Sequence, residues 1–185
     1  MSLIRILFSA ILVLIAVSSC TPVTSVNVPG KQQQKFPKKM IGKYSIHFPE
    51  SLSMFEGQVN GVEFKSSAMI LETADEKNES KLGDSLFYSM IGKDMYLSIG
   101  SPGNYTVLKV VLKKKEIEMY SMYCSGELTT EQLNPYFKKV SIIDEKTSEE
   151  EDKMPSYLVE IDDAKLAEYF NGSLPMKEPI ILKKK

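Results

Sequence analysis

The spacing of apolar residues along the chain changes character twice. Ile6 to Val17 (ILFSAILVLIAV) is almost wholly apolar, whereas Thr21 to Lys39 has no sustained period and is interrupted by Pro22, Pro29, Gly30 and Pro37. That second stretch reads as a flexible tether covering residues 20–39. From Met40 an alternation of period two sets in, and in Tyr44-Ser45-Ile46-His47-Phe48 the side chains of Tyr44, Ile46 and Phe48 share one face of a strand while Ser45 and His47 share the other. Val62, Phe64, Ala68 and Ile70 continue the pattern as a second strand, and the polar stretch Asp75 to Asp84 reads as turn.

Two hairpins follow. Ser85 to Ile91 and Met95 to Ile99 are joined through Gly92-Lys93-Asp94, and Thr106 to Lys113 and Glu116 to Cys124 through Lys114-Lys115. Leu108, Val110 and Leu112 face inward and Lys109 and Lys113 outward. Thr129 to Gln132 supplies caps for a short helix that Pro135 must confine to its first turn or end, and Val140 to Ile143 resumes strand character. Residues 144–153 (DEKTSEEEDK) lack apolar side chains and read as a mobile acidic loop. Beyond them Tyr157 to Ile161 is strand-like, and Asp162 or Asp163 caps a helix with Leu166, Tyr169 and Phe170 on one face, which Gly172 ends. Ile180 to Leu182 closes the pattern. The expected fold is α+β, a mostly antiparallel sheet of hairpins with two short helices in a single domain over residues 40–185.

Composition narrows the function classes. The 185 residues carry 23 Lys+Arg against 24 Asp+Glu, a net charge of -1, and 43% are hydrophobic. That balance excludes a wholly disordered chain and removes the basic excess on which nucleic-acid binding depends. Two cysteines do not make a disulfide scaffold.

The amino-terminal twenty residues point to a destination. One positive charge at Arg5 precedes the apolar run, which ends at Ser18, Ser19 and Cys20. A helix of that run would be about 18 Å long, short of the roughly 30 Å hydrocarbon core, so it reads as an export signal and not as a stable span. Val17-Ser18-Ser19-Cys20 resembles the lipobox of bacterial lipoproteins: an aliphatic residue, two small residues and a cysteine. The resemblance implies that residues 1–19 are a signal peptide cut between Ser19 and Cys20, that the Cys20 thiol carries a diacylglyceryl group, and that the new amino terminus receives a further, palmitate-type acyl chain. The thiolate is the nucleophile suited to a thioether bond. Two or three acyl chains hold a protein on a membrane where one would be marginal. The expected location is therefore the cell envelope, with no cofactor beyond the covalent lipid on Cys20. By the same family pattern Thr21, in place of an Asp, leans toward the outer membrane where an envelope has two.

A second, shorter resemblance lies at Gly42-Lys43-Tyr44-Ser45-Ile46-His47-Phe48-Pro49, which is similar to the opening strand of PsbP or DcrB-type envelope domains. It covers eight residues and carries no site. A lipocalin-like open barrel is an equally admissible arrangement of the same hairpins, although the Gly-x-Trp opening typical of that family is absent from a chain without Trp.

Catalytic material is thin. The chain holds one His, His47, and one cysteine besides Cys20, Cys124, which together could form a thiol and base pair but cannot furnish a conventional zinc site. The run Glu149 to Asp152 lacks the spacing of a calcium loop, and none of the Gly-Lys pairs completes a phosphate loop. Met and Tyr, in contrast, cluster in the central strands, at Met90, Tyr96, Met119 and Tyr123 among others. Flexible thioethers and broad phenol rings suit a surface that takes up apolar ligands, and equally suit a core. The expectation is a membrane-anchored, non-enzymatic binding or accessory module for an apolar ligand or an envelope protein. The alternative is an enzyme of unfamiliar type using His47 or Cys124.

Overall fold

The computed structural model describes residues 20–125, 128–144, 155–175 and 177–185, with Cys20, Met54, Cys124, Ser125 and Asp144 described through their backbone. The expected signal peptide and the acidic residues 145–153 lie outside the described residues.

Three short strands come first: β1 (Cys20–Thr21), β2 (Val23–Ser25) and β3 (Lys31–Gln33). They are followed by β4 (Gly42–His47), a 3-10 turn at Glu50–Phe55, β5 (Val59–Phe64), β6 (Ala68–Thr73) and β7 (Lys77–Lys81). The middle of the chain is β8 (Leu86–Ile91), β9 (Asp94–Ser101), β10 (Asn104–Leu112), β11 (Glu116–Ser121) and β12 (Cys124–Ser125). The last part is α1 (Thr130–Leu133), β13 (Phe137–Asp144), β14 (Ser156–Ile161), α2 (Asp163–Asn171) and β15 (Ile180–Lys184).

Among the described residues 13 strands join one sheet, with β1 and β12 as a two-stranded pair beside it. The hub is β10, which takes β9 along one edge and both β2 and β11 along the other. From β11 the sheet continues through β15, β4, β5 and β6 to β7, from β9 through β8 to β3, and from β2 through β14 to β13. All these pairings are antiparallel except β2 with β14, so the fold is α+β and dominated by antiparallel sheet.

Strand alternation gives β8, β9 and β10 two buried faces. On one of them Leu86, Tyr88, Leu97, Leu108 and Val110 pack against Tyr44, Val62, Phe64 and Met69, which requires the sheet to curl until β4–β6 lie over β8–β10. Phe36 and Met40 fill this concave core, Phe36 standing edge-on to Phe64 at 5.2 Å between ring centroids. On the opposite face Tyr96, Tyr105 and Val107 are covered by Tyr157, Val159, Ile161, Leu166, Tyr169 and Phe170. The two helices supply part of that cover, each with the cap its sequence provides. Thr129 accepts from the Gln132 amide while the Gln132 side chain accepts from the Thr129 amide, and Asp162 accepts from Ala164. Such caps each contribute about 0.5–2 kcal/mol.

Three expectations are corrected. The strand expected over Val62 to Ile70 is two strands, β5 and β6, folded about Lys65-Ser66-Ser67, where the Lys65 amide donates to Ala68. The turn moves the inward parity from Ala68 and Ile70 to Met69, which pairs with Phe64 and sits in the concave core. The polar stretch 75–84 contains β7, which pairs along β6 through Lys77–Lys81, its exposed Lys77, Glu79 and Lys81 suiting an outermost strand. The largest correction concerns the tether. Residues 20–36 are built into the fold: β2 is a central strand, with Val23 and Ser25 fully buried, and β3 pairs with β8. The Asn27 side chain extends the ladder, accepting from the Ile161 amide at 2.8 Å, and the Gly30 amide donates to the Asp163 carboxylate at 3.0 Å. Gly30 has φ of 63°, and a Cβ there would come within 2.5 Å of the Met90 carbonyl, so the chain can pass only as glycine.

Candidate functional site

The junction at Cys20 is the first place to build. β1 pairs with β12 so that Cys20 lies opposite Ser125 and Thr21 opposite Cys124. In this register Cys20 and Cys124 are offset by one residue. Thr21 is fully buried, Pro22 accepts from the Tyr157 amide at 2.9 Å, and Val23 is again fully buried. No residue therefore separates Cys20 from the packed interior.

The four Met and Tyr positions read from the sequence do not form one surface. Met119 and Met90 belong to the concave core, Tyr96 to the core on the other side of the sheet, and Tyr123 to a small third cluster with Leu52 and Phe55. Their separation follows from strand parity. Tyr96 and Met95 are neighbours in β9 and must point to opposite faces.

His47 is exposed at the end of β4, its Nε2 3.5 Å from Ser45 Oγ. Register places it in one transverse row with Ile181, Glu118 and Val111, so that His47 and Glu118 stand two strands apart, about 10 Å. Glu118 is buried and receives two partners, the Lys113 ammonium and the Tyr120 hydroxyl, the latter at 2.9 Å. The hydrogen bond from Lys113 to Glu118 raises the Lys113 pKa most, desolvation opposes it, and the Glu118 charge adds to the rise; burial chiefly raises the pKa of Tyr120. The arrangement is a satisfied charge cluster on the outer face. Sequence reading passed over Glu118 because Glu-Ile-Glu-Met-Tyr reads as a strand with two outward glutamates. Among the described residues no group of three or more His, Cys, Asp or Glu side chains is placed to hold a metal ion, and no helix is long and apolar enough to cross a membrane.

A further polar group lies under α2. Ser89 is paired with Tyr96 and Ser98 with Phe87, which puts all four on the same face of β8 and β9. The hydroxyls of Ser89, Tyr96 and Ser98 are buried with no hydrogen-bond partner. Burial pushes the Tyr96 phenol well above its ordinary value, and the Asp94 and Asp163 carboxylates push in the same direction. Below about pH 10 the phenol is neutral folded or unfolded; above it the unfolded chain loses the proton first, so stability falls as pH rises. Tyr96→Phe is therefore expected to leave stability near pH 7 within about 1 kcal/mol of the parent and to move the alkaline unfolding midpoint upward, as followed by circular dichroism in urea. An unchanged alkaline midpoint would show that Tyr96 is not what limits the fold at high pH.

In comparisons with known proteins, no family model matches the chain, and no match was found among curated proteins or among solved structures.

Proposed function

We propose that the protein is a bacterial envelope lipoprotein, anchored through acyl chains on Cys20 and acting as a non-enzymatic accessory or binding module. The observation that carries this reading is a coincidence of position. The lipobox-like Val17-Ser18-Ser19-Cys20 marks Cys20 as the first residue of the processed chain, and the residue that follows it, Thr21, is already fully buried in the fold. A cut before Cys20 would leave every described strand intact. For the partner, the packing of Met119, Tyr96 and Tyr123 into three separate cores supports an envelope protein over an apolar ligand held at those residues.

The test is expression of the full chain in a Gram-negative host, with mass analysis of the amino-terminal peptide. The expected peptide begins at Cys20 and carries the mass of a diacylglyceryl group, with or without a third chain. Cys20→Ser is expected to abolish both the added mass and the retention of the protein in the membrane fraction. A mature amino terminus elsewhere, with a free Cys20 thiol, would overturn the reading.

A further inference from the structure

We propose that the anchored protein lies flush against the bilayer, with Ile142 and Ile143 of β13 forming a second contact in the headgroup layer of a zwitterionic membrane. The inference rests on the lipid-anchor reading.

The first argument is the lack of slack. With Thr21 fully buried and Tyr157 donating to Pro22, an acyl group on Cys20 is attached directly to the packed domain, so bringing the lipid into the bilayer brings this end of the sheet with it. The second argument is register. Val23 lies opposite Tyr157, and Tyr157 opposite Ile142, which puts three adjacent strands in one row. Ser156 and its partner Asp144 continue beyond that row on the side toward Cys20. Ile143 lies between Ile142 and Asp144, on the same side.

Two strand spacings separate Ile142 from Val23, and three residue steps lead from Val23 to Cys20, so the isoleucines stand within about 15 Å of the anchor. The third argument is exposure. Ile142 is 42% exposed and Ile143 49%, and among the described residues the other large hydrophobic of this kind is Val26, beyond the far end of β2. The register shifts between Ile142 and Asp144, a bulge that leaves Ile143 as the extra residue of an outer strand, so the pair presents an exposed apolar tip at its end. An exposed apolar pair beside a lipid attachment point has an apolar phase within reach.

Charge selects the kind of surface. The sequence joining β13 to β14 carries Glu145, Glu149, Glu150, Glu151 and Asp152 against Lys146 and Lys153. An anionic leaflet would repel this end, so the contact is apolar and favours zwitterionic headgroups.

The test uses the full acylated protein in a Cys124→Ser background, reconstituted in phosphatidylcholine vesicles. An environment-sensitive fluorophore is placed at Ile143→Cys, and a control at Lys93→Cys in the exposed turn between β8 and β9. Mass analysis of the amino-terminal peptide comes first. If Cys20 carries no lipid, the anchor reading and this inference fall together. With the lipid present, the probe at position 143 is expected to shift to the blue and to resist an aqueous quencher about threefold better than the probe at 93. Equal quenching at the two positions on a lipidated protein would overturn the flush arrangement alone, leaving the anchor standing. A shift seen only in vesicles containing phosphatidylglycerol would overturn the zwitterionic preference. Ile142→Cys, exposed to a similar degree, gives the same readout should labelling at 143 disturb the strand.

Discussion

A chain shortened to begin at Phe36 is expected not to fold. The truncation removes β1, β2 and β3, and β2 is the strand through which the β13–β14 pair joins β10. Val23 is fully buried in the core beneath α2, and the Val26 amide, two residues after Thr24, closes on the Val159 carbonyl at 2.9 Å. The losses include one buried valine at roughly 2 kcal/mol, several backbone hydrogen bonds at about 1 kcal/mol each, and an edge of β14 left unpaired in a partly apolar setting. Together they approach the roughly 5–15 kcal/mol that stabilises a typical domain. The comparison is with a chain beginning at Cys20, both prepared as Cys20-free or Cys20→Ser proteins so that lipidation plays no part. The longer one is expected to give dispersed amide resonances and a cooperative urea transition, the shorter one neither. A cooperative transition in the chain from Phe36 would mean that residues 20–35 only decorate a domain that stands without them.

That same segment explains where sequence reading succeeded and where it did not. The hairpins β8–β9 and β10–β11 were legible because their turns are tight and their strands long: Ile91 pairs with Asp94 across Gly92-Lys93, and Lys113 donates to Glu116 across Lys114-Lys115. The α2 face was legible because Leu166, Tyr169 and Phe170 recur at helical spacing between a capping Asp162 and Gly172. In β2 there was no such signal. Val-Thr-Ser is three residues long, and the burial of Thr24 and Ser25 comes from neighbours that are distant in sequence, Tyr157 to Val159 on one side and Tyr105 on the other. Two-residue alternation cannot be recognised in a strand this short, and Pro22, Pro29 and Gly30 around it are ordinary linker residues. The candidate site divides in a similar way. Cys20 stands out through its local neighbours, Val17 to Ser19. The exposed pair Ile142 and Ile143 sits in a run that reads as an ordinary strand, and its position near Cys20 depends on a parallel pairing across more than 130 residues, as in the Thr24 hydroxyl bond to the Tyr157 carbonyl.

Tyr169→Ala is expected to be the most destabilising single truncation in the core beneath α2. Tyr169 is fully buried and its ring meets three others, Phe137 at 4.9 Å, Tyr136 at 5.6 Å and Phe170 at 5.7 Å between centroids. Phe170 in turn reaches Tyr96 at 5.9 Å, so the ring chain ties the start of β13 to α2 and α2 to the middle of β9. The Tyr169 hydroxyl donates to the Met122 carbonyl at 2.6 Å, fastening α2 to the segment that follows β11. Removing a buried ring of this size costs about 3–5 kcal/mol, because the surrounding side chains close the cavity only in part. For a domain of this length each kcal/mol moves the midpoint by roughly 2–4 °C, so Tyr169→Ala is expected to lower Tm by about 6–20 °C. Tyr169→Phe keeps the three ring contacts and loses only the hydrogen bond, for which about 1–2 kcal/mol is expected. Thermal unfolding of both variants separates the two contributions. Equal losses in Tyr169→Phe and Tyr169→Ala would mean that the hydroxyl, and not the ring, holds α2 against the sheet, and a loss below about 1 kcal/mol in both would mean that α2 docks independently of Tyr169.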